Sequence, residues 1–265
     1  MAFGGVPPHQ AAYDRATTIF SPEGDLYQVR YAFEAVKKGW TSLGLKTDEF
    51  VILAAEKKMV TPLMELADVE KIYKVDDHVG VAFAGMGGDG RVLIDYARIV
   101  AVRHRLLYGE PASIEILAKA IADLKQAYTQ HGGVRPFGVG LIFGGINPDG
   151  RPKIYRTDPG GQYFSFKAVA IGSGDQEANE YFEKHYRDNI TFDEAVMMVL
   201  KVLYFSLVKG METREDRVKI ATNLHNYVEI GYADVKTKSF RKMSLEELKV
   251  YVDKVKDDLV RSGRT

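Results

Sequence analysis

The chain has 265 residues, with 36 basic and 36 acidic side chains and no cysteine. Balanced charge argues against broad attraction to nucleic acid or anionic membranes, and the lack of cysteine excludes disulfides and thiolate metal sites. A chain of this length can bury about three-quarters of its unfolded surface in one large domain. The opening residues have no basic or apolar leader pattern, and no later run reaches the roughly 20 apolar residues of a membrane span. We therefore expect a cytoplasmic protein outside the membrane, without secretory processing.

The N-terminal part of the sequence predicts a flexible tail, a turn and a helix. Residues 1–12 contain paired glycines and paired prolines, which favour a pliable, non-helical segment. Ser21-Pro22-Glu23-Gly24 has the chemistry of a reverse turn. An apolar stripe that begins at Leu26 recurs at helical spacing and ends at Lys37-Lys38-Gly39, which supplies cations and a terminating glycine. The pattern predicts a helix over residues 25–38.

The middle of the chain predicts consecutive strands and then consecutive helices. Apolar, β-branched runs bounded by turn residues predict four strands, at residues 41–46, 50–56, 72–75 and 79–84. Apolar residues at helical spacing then predict two helices, at residues 91–108 and 113–128. This order differs from the strict strand–helix alternation that is typical of parallel sheets.

The second half repeats this grouping. Strands are predicted at residues 137–143, 154–157 and 163–171, then helices at 176–186 and 192–207, then strands at 218–222 and 227–232. A capping box, Ser244-x-x-Glu247, opens a last helix. Runs of strands followed by runs of helices indicate an α+β fold, in which antiparallel sheets carry helices on their outer faces. No linker divides the chain.

Residues 13–32, YDRATTIFSPEGDLYQVRYA, resemble the N-terminal signature of proteasome α subunits. The resemblance spans residues 9–240 and passes through further matching motifs, which are Lys37-Lys38-Gly39, Val69-Glu70-Lys71-Ile72, GGVRPFGV at 132–139 and AIGSG at 170–174. It implies a four-layer α-β-β-α sandwich of two antiparallel sheets, the N-terminal-nucleophile hydrolase fold, with an extra N-terminal helix. The implied organisation is a gate tail at 1–12, an α-type domain at 13–243 and a C-terminal helix and tail at 244–265.

The resemblance also implies a subunit without catalytic residues, metal or cofactor. Proteasome β subunits are threonine proteases whose nucleophile is the first residue of the mature chain. Alignment of residues 50–56 with the corresponding β-subunit strand places Trp40 at the position of that threonine, while Thr41 stays amide-linked. Ala67 falls where the resemblance places the β-subunit lysine, and Glu56 falls near the acidic position. We expect hydrolase architecture without hydrolase chemistry.

Proteasome α subunits form heptameric rings that cap the β rings in an α-β-β-α barrel, and their N-terminal tails close the axial pore to unfolded polypeptide substrates. By resemblance, Tyr13, Asp14, Pro22 and Tyr31 are the cluster that holds the open gate, through hydrogen bonds between neighbouring subunits. Taken alone, the tail is also typical of an ordinary frayed terminus, and Tyr31 of an aromatic residue on a helix face.

Regulatory ATPases open the gate of this family by inserting their C-terminal tails between adjacent α subunits. Lys71 matches the lysine that pairs with the carboxylate of the tail, and Gly24, Leu26 and Gly39 match other pocket positions. The chain departs from the family pattern at Arg30, where glutamate is more usual. It also departs at Trp40, where a small hydroxyl residue is common. Both departures bear on which partner the pocket prefers.

Four other interpretations compete with this one. Gly85-x-Gly87-x-x-Gly90, between a predicted strand and helix, superficially matches a dinucleotide fingerprint, but no strand with a ribose-binding acid follows. The six histidines lack paired ligand spacing, which argues against a metal site. An active N-terminal-nucleophile threonine hydrolase that starts at Thr41, and a scaffold ring without a gate, are the two functional alternatives.

Overall fold

The computed structural model describes residues 16–57, 63–65 and 69–261. Within these ranges the strands are β1 Ser42–Lys46, β2 Phe50–Glu56, β3 Ile72–Asp76, β4 Val79–Gly85, β5 Val139–Ile146, β6 Pro152–Thr157, β7 Tyr163–Ser165, β8 Ala168–Ile171, β9 Val228–Asp234 and β10 Phe240–Lys242. The α-helices are α1 Tyr27–Lys37, α2 Gly87–Tyr108, α3 Ile114–Thr129, α4 Asp175–His185, α5 Phe192–Leu207, α6 Arg214–Thr222 and α7 Leu245–Arg261.

The strands form two five-stranded antiparallel sheets. The first has the order β10-β9-β2-β1-β8 and the second the order β3-β4-β5-β6-β7. Every strand pairs antiparallel with its neighbour. Strands β1 and β2 begin the first sheet, and strands β3 to β7 form the second. The chain then returns to the first sheet with β8, β9 and β10.

Strand β2 shows how the layers stack, since all seven of its residues are buried. Successive strand side chains point to opposite faces. Ile52 and Ala54 belong to the core under α5 and α7, whereas Val51 and Leu53 pack between the two sheets. A third core lies between the second sheet and helices α2 and α3. The architecture is therefore the predicted α-β-β-α sandwich.

Helix α1 is the extra N-terminal helix. It buries Tyr27, Ala32 and Val36 and packs against β4 and β5 of the second sheet. Val36 also joins the core between the sheets. The helix therefore rests on the end of the sandwich at which β4 ends and α2 begins.

The prediction of a strand at residues 218–222 is wrong, because these residues lie in helix α6. The Thr213 side chain accepts a hydrogen bond from the Asp216 amide at 3.2 Å, which caps the helix N-terminus. The predicted strand at 163–171 is two strands, β7 and β8, which lie in different sheets because the chain crosses between the sheets after Ser165. Strand β10 was not predicted.

Helix α2 begins at Gly87, earlier than the predicted start at residue 91. The three glycines of its first turn, Gly87, Gly88 and Gly90, weaken the sequence signal for a helix. The helix nevertheless forms, since its later residues Leu93, Ile94 and Ala97 are buried. No helix in the described part of the chain has the length and apolar character that a bilayer crossing requires.

Lys125 of α3 is fully buried and ties that helix to the second sheet. Its Nζ donates hydrogen bonds to the carbonyl oxygen of Val139 at 2.8 Å and to the Thr157 Oγ1 at 2.9 Å. Burial lowers the pKa of Lys125 to about 7, and the charge of Asp158 opposes this shift. The buried ammonium is thus held by uncharged acceptors.

We expect the stability of the chain to rise with pH between about 7 and 10 because of Lys125. Its pKa is lower in the folded chain than in the unfolded chain, so unfolding takes up a proton in this window and is disfavoured as pH rises. The contribution is at most about 1.4 kcal/mol per pH unit. Denaturant unfolding at several pH values measures it, and Lys125→Met should reduce the slope without abolishing it, since the pKa of Lys71 is also lowered, to about 8. Lys119→Met, at an exposed position of the same helix, is the control and should leave the slope unchanged.

Candidate functional site

A pocket of about 720 Å³ opens where four segments of the chain meet. These are the residues that lead into β1, the segment before β3, the end of β4 and the first turn of α2. The residues that line the pocket are Lys38, Gly39, Trp40, Met64, Glu65, Val69, Glu70, Lys71, Tyr73, Phe83, Gly85, Gly87, Gly88 and Arg91. The pocket combines aromatic walls with charged side chains.

Lys71 is the buried charge of this pocket, with only 5% of its surface exposed. Its Nζ lies 3.9 Å from the centroid of the Phe83 ring and 5.8 Å from that of Trp40. Among the described residues the ammonium has no hydrogen-bond or ion-pair partner. Burial lowers the pKa of Lys71 to about 8, although the carboxylates of Glu56 and Glu229 oppose this shift. The ammonium is therefore held by aromatic faces and is available to an anion.

Glu229 of β9 fixes the backbone that presents Lys71. Its Oε2 accepts hydrogen bonds from the amides of Lys71 at 2.8 Å and Ile72 at 3.1 Å. Its Oε1 pairs with the Lys242 Nζ at 2.7 Å. The carboxylate is thus satisfied by two amides and one cation, and the segment that enters β3 is attached to the first sheet.

Gly39 and Gly85 bring two backbones together at one side of the pocket. A Cβ built at Gly39 would lie 2.1 Å from the Gly85 amide nitrogen, too close for any side chain. Gly85 has φ +111°, and a Cβ there would lie 2.2 Å from the Gly138 carbonyl oxygen. Nearby, the Ser42 hydroxyl donates to the Phe83 carbonyl oxygen at 2.6 Å and joins β1 to β4.

Thr41 is built into the fold. It is fully buried, its amide donates to the Glu56 Oε2 at 3.3 Å, and its Oγ1 accepts from the Gly174 amide at 3.0 Å. The same hydroxyl shares a hydrogen bond of 2.7 Å with the Ser206 Oγ. The chain runs continuously from α1 through Trp40 into β1. A threonine nucleophile of the hydrolase type needs a free α-amine. The nitrogen of Thr41 is instead part of a peptide bond.

Glu56, which the resemblance places near the β-subunit acidic position, is fully buried. Ala67, the position compared with the β-subunit lysine, lies outside the described residues. The charges of Glu56 and Lys71 act on each other, so a lysine from another part of the chain lies near this acid.

Comparisons with known proteins agree with this geometry. The family model described as "Proteasome subunit" matches residues 36–222, and the model for the N-terminal signature of A-type proteasome subunits matches residues 13–35. The proteasome alpha subunit of Aeropyrum pernix is 64% identical over 261 residues, which cover 98% of this chain and 100% of the relative. The chain belongs to the proteasome α subunit family. The proteasome alpha subunits of Sulfolobus acidocaldarius and Saccharolobus islandicus are similar at 50% and 49% identity, over 96% of this chain and 100% of each relative.

The signature of this α-type chain folds as the predicted turn and helix. The amide of Gly24 donates to the Ser21 carbonyl oxygen at 2.9 Å, and the amide of Asp25 donates to the Ser21 Oγ at 3.2 Å. Gly24 has φ +86°, the left-handed conformation that favours glycine. Pro22 is exposed within this turn. Tyr13 and Asp14, the other predicted gate residues of the signature, lie outside the described residues.

Two other signature residues lie along α1. Arg30 pairs with Asp25 at 2.8 Å, and its guanidinium lies 5.7 Å from the centroid of the Tyr27 ring. Tyr31 is 44% exposed and stacks on Tyr27, with their ring centroids 6.4 Å apart. The Arg30 that replaces the usual glutamate is therefore held near the start of its own helix.

The structure divides the predicted activator-tail residues of this chain into two groups. Lys71 and Gly39 line the pocket, whereas Gly24, Leu26 and Arg30 do not contribute to its walls. The second group lies at the start of α1, so within one chain the two groups do not form a single site.

Sequence reasoning missed several pocket residues. Tyr73 and Phe83 were interpreted only as strand residues and Arg91 only as the start of a helix, yet all three line the pocket. The glycine pattern around Gly87 was the available signal, since glycines leave the backbone uncovered. A Cβ built at Gly87 or Gly88 would meet no atom within 4 Å. Among the described residues no three His, Asp or Glu side chains are grouped as a metal site.

We expect Gly39→Ala to destabilise the chain by about 1–3 kcal/mol, because the new methyl would overlap the Gly85 backbone. Gly88→Ala is the matched control. A Cβ at Gly88 meets no atom within 4 Å, and alanine favours a helix. The midpoint of denaturant unfolding should fall for the first variant and stay equal or rise for the second. Equal midpoints for wild type and Gly39→Ala would contradict the backbone contact.

Proposed function

We propose that this chain is a non-catalytic, gating subunit of a cytoplasmic 20S proteasome. It forms a homo-heptameric outer ring on a ring of β subunits, in an α7-β7-β7-α7 barrel. It controls the access of unfolded polypeptides to the proteolytic chamber, and it receives the C-terminal tails of a regulatory ATPase. The observation that carries the proposal is the buried Lys71 ammonium, which faces a pocket and forms no hydrogen bond or ion pair with another described residue.

The pocket supports tail docking through charge and shape. A terminal carboxylate in the pocket could pair directly with the Lys71 ammonium, and a charge-assisted contact of this kind contributes about 1.5–3 kcal/mol. The aromatic walls formed by Trp40, Tyr73 and Phe83 suit an aromatic side chain of the tail. Trp40, which departs from the family pattern, adds area to this wall.

The turn at Pro22 and the exposed ring of Tyr31 support the gate assignment. Tyr31 presents its ring at the surface of α1, where a neighbouring subunit can reach it. With Tyr13 and Asp14 of the next chain, these residues would form the predicted gate cluster. Each hydrogen bond contributes about 0.5–1.5 kcal/mol, so a ring of equivalent clusters can set the balance between two gate states.

The outer face of α2 supports assembly with another subunit. Ile99, Val102, Leu106 and Leu107 are between 55% and 81% exposed. An exposed apolar stripe on one helix is typical of a surface that a partner covers. This feature favours a subunit of a larger complex over a free monomer.

The alternative of an active threonine hydrolase is not supported by the surroundings of Thr41. Its amide and hydroxyl both form hydrogen bonds inside the fold, to Glu56, Gly174 and Ser206. To expose an amine at Thr41, the chain would have to lose α1, Lys38, Gly39 and Trp40. The loss would remove the Gly39–Gly85 contact and uncover the apolar surface under α1.

We expect Lys71→Ala to preserve ring assembly and to abolish ATPase-stimulated protein degradation. The variant removes the cation that pairs with the tail carboxylate but leaves the Glu229 hydrogen bonds to the backbone in place. Degradation of an unfolded protein by the reconstituted particle and ATPase is the measurement. Lys74→Ala, on the exposed side of β3 and paired with Asp77, is the control and should behave as wild type. Normal stimulation of the Lys71→Ala particle would contradict the assignment.

Deletion of residues 2–12 tests the gate separately from the pocket. If the tail closes the pore, the particle without ATPase should hydrolyse small peptides faster after the deletion, while its unfolding midpoint stays unchanged. Replacement of the same segment by a glycine-serine sequence of equal length is the control for tail length. Equal rates with and without the tail would favour a scaffold ring that has no gate.

A further inference from the structure

We propose that a second, smaller pocket, between helices α4 and α5, binds an uncharged aromatic ring of phenol size. The oxygen of this ligand accepts a hydrogen bond from the Ser206 hydroxyl. Of the described residues, none lines both this pocket and the pocket at Lys71. The proposal therefore does not rest on tail docking.

The size and the walls of the pocket suit one aromatic ring. Its volume is about 180 Å³, and its apolar walls are formed by Ala178, Tyr181, Val202 and Phe205. The rings of Tyr181 and Phe205 have centroids 6.4 Å apart and planes that meet at 44°. An apolar cavity of about 150 Å³ is large enough to bind benzene. A third ring can therefore enter the pocket and pack against the two rings of its wall.

The hydroxyl of Thr41 settles the direction of the hydrogen bond at the base of the pocket. Thr41 Oγ1 accepts from the Gly174 amide at 3.0 Å and lies 2.7 Å from the Ser206 Oγ. Each hydroxyl has one hydrogen to donate. Among the described residues, Ser206 is the one acceptor that the fully buried Thr41 hydroxyl can reach. Because a buried donor without an acceptor is unfavourable, Thr41 donates and Ser206 accepts.

This assignment leaves the Ser206 hydrogen available to a ligand. No acceptor for it lies among the described residues, and Ser206 lines the pocket. Gly174, the last residue of the AIGSG motif at 170–174, gives this hydroxyl its room, since a Cβ at Gly174 would lie 2.3 Å from the Ser206 Oγ. The pocket thus combines apolar walls with one hydrogen-bond donor, which fits a ring that carries one acceptor oxygen.

The surrounding charges favour an uncharged ligand. Among the described residues that line the pocket, Glu177 is the one with a charge, and its carboxylate already pairs with the Lys209 Nζ. The pocket continues into an open groove of about 370 Å³, which shares Glu177, Tyr181 and Phe205 with it and offers an entry path. The titratable residues that the groove adds are Glu180, Lys184 and His185. Since the groove carries both signs of charge, it selects neither an anion nor a cation.

The test titrates phenol and, separately, benzene into the purified full chain by calorimetry. Saturable binding of both is expected, with dissociation constants of about 1 mM or lower. Ser206→Ala should weaken phenol binding by roughly 3- to 10-fold, because the phenol oxygen loses its donor. The same variant should bind benzene as wild type does, since benzene makes no hydrogen bond. A general disturbance of the pocket would weaken both ligands equally.

Ala178→Leu tests the location of the site. Its larger side chain fills the pocket from α4, so binding of both ligands should be lost. Gln176→Leu is the matched control, because Gln176 is exposed on the same helix and lies outside the pocket wall. The control variant should bind both ligands as wild type does. Unfolding midpoints of the variants confirm that each chain is folded.

A parallel titration with N-acetyltyrosine amide distinguishes two sources of the ring. Binding at least as tight as that of phenol identifies a tyrosine side chain as the ligand, whereas weaker binding identifies a free phenol. The proposal is overturned if phenol binding does not saturate in the millimolar range. It is also overturned if Ser206→Ala affects phenol and benzene alike, or if Ala178→Leu binds them as Gln176→Leu does.

Discussion

The backbones of Gly39 and Gly85 lie closer to each other than any side chain would permit. This contact joins the end of α1, where the chain turns into β1, to the end of β4, where the chain turns into α2. The two junctions form adjoining walls of the pocket. They position Trp40, Phe83 and the first turn of α2. A side chain at Gly39 would separate the two junctions and open the sandwich at the end that carries the site.

The same junction decides what chemistry this member of the family can perform. Because the chain continues through Trp40, the amide of Thr41 is a peptide amide, and it donates a hydrogen bond to Glu56. The Thr41 hydroxyl already forms hydrogen bonds with Gly174 and Ser206. Glu56 and Lys71 lie close enough for their charges to interact, as an acid and a base do in a catalytic site. In a threonine hydrolase such a pair acts beside a hydroxyl and a free amine, whereas the nitrogen of Thr41 belongs to a peptide bond. What remains is a buried ammonium that faces a pocket, which suits the binding of an anion.

Two buried lysines illustrate different uses of the same side chain. Lys125 satisfies its ammonium with Val139 and Thr157, so it serves to attach α3 to the second sheet. Lys71 has aromatic rings around its ammonium and no acceptor among the described residues. Burial lowers the pKa of both, to about 7 for Lys125 and about 8 for Lys71. The two lysines therefore differ in their partners rather than in their burial.

Much of the fold could be predicted from the sequence, because periodicity and turn chemistry are local properties. The helix after the Ser21–Gly24 turn, the grouping of strands and the capping box at Ser244 all follow from residues a few positions apart. The family signature assigned the fold and singled out Lys71. Residues 218–222 were predicted wrongly because their short apolar run suits a strand as well as a helix.

The sequence by itself determined the family and the α+β class, and it predicted that Trp40 stands where a protease of this fold has its threonine. Only the tertiary structure decided that Lys71 lies near Glu56 rather than in solvent, and that Gly39 and Lys71 share a pocket while Gly24, Leu26 and Arg30 do not. These facts depend on how two sheets and the N-terminal helix pack together. Packing brings into contact residues that are far apart in the chain. A local sequence pattern does not show which of these distant residues will meet.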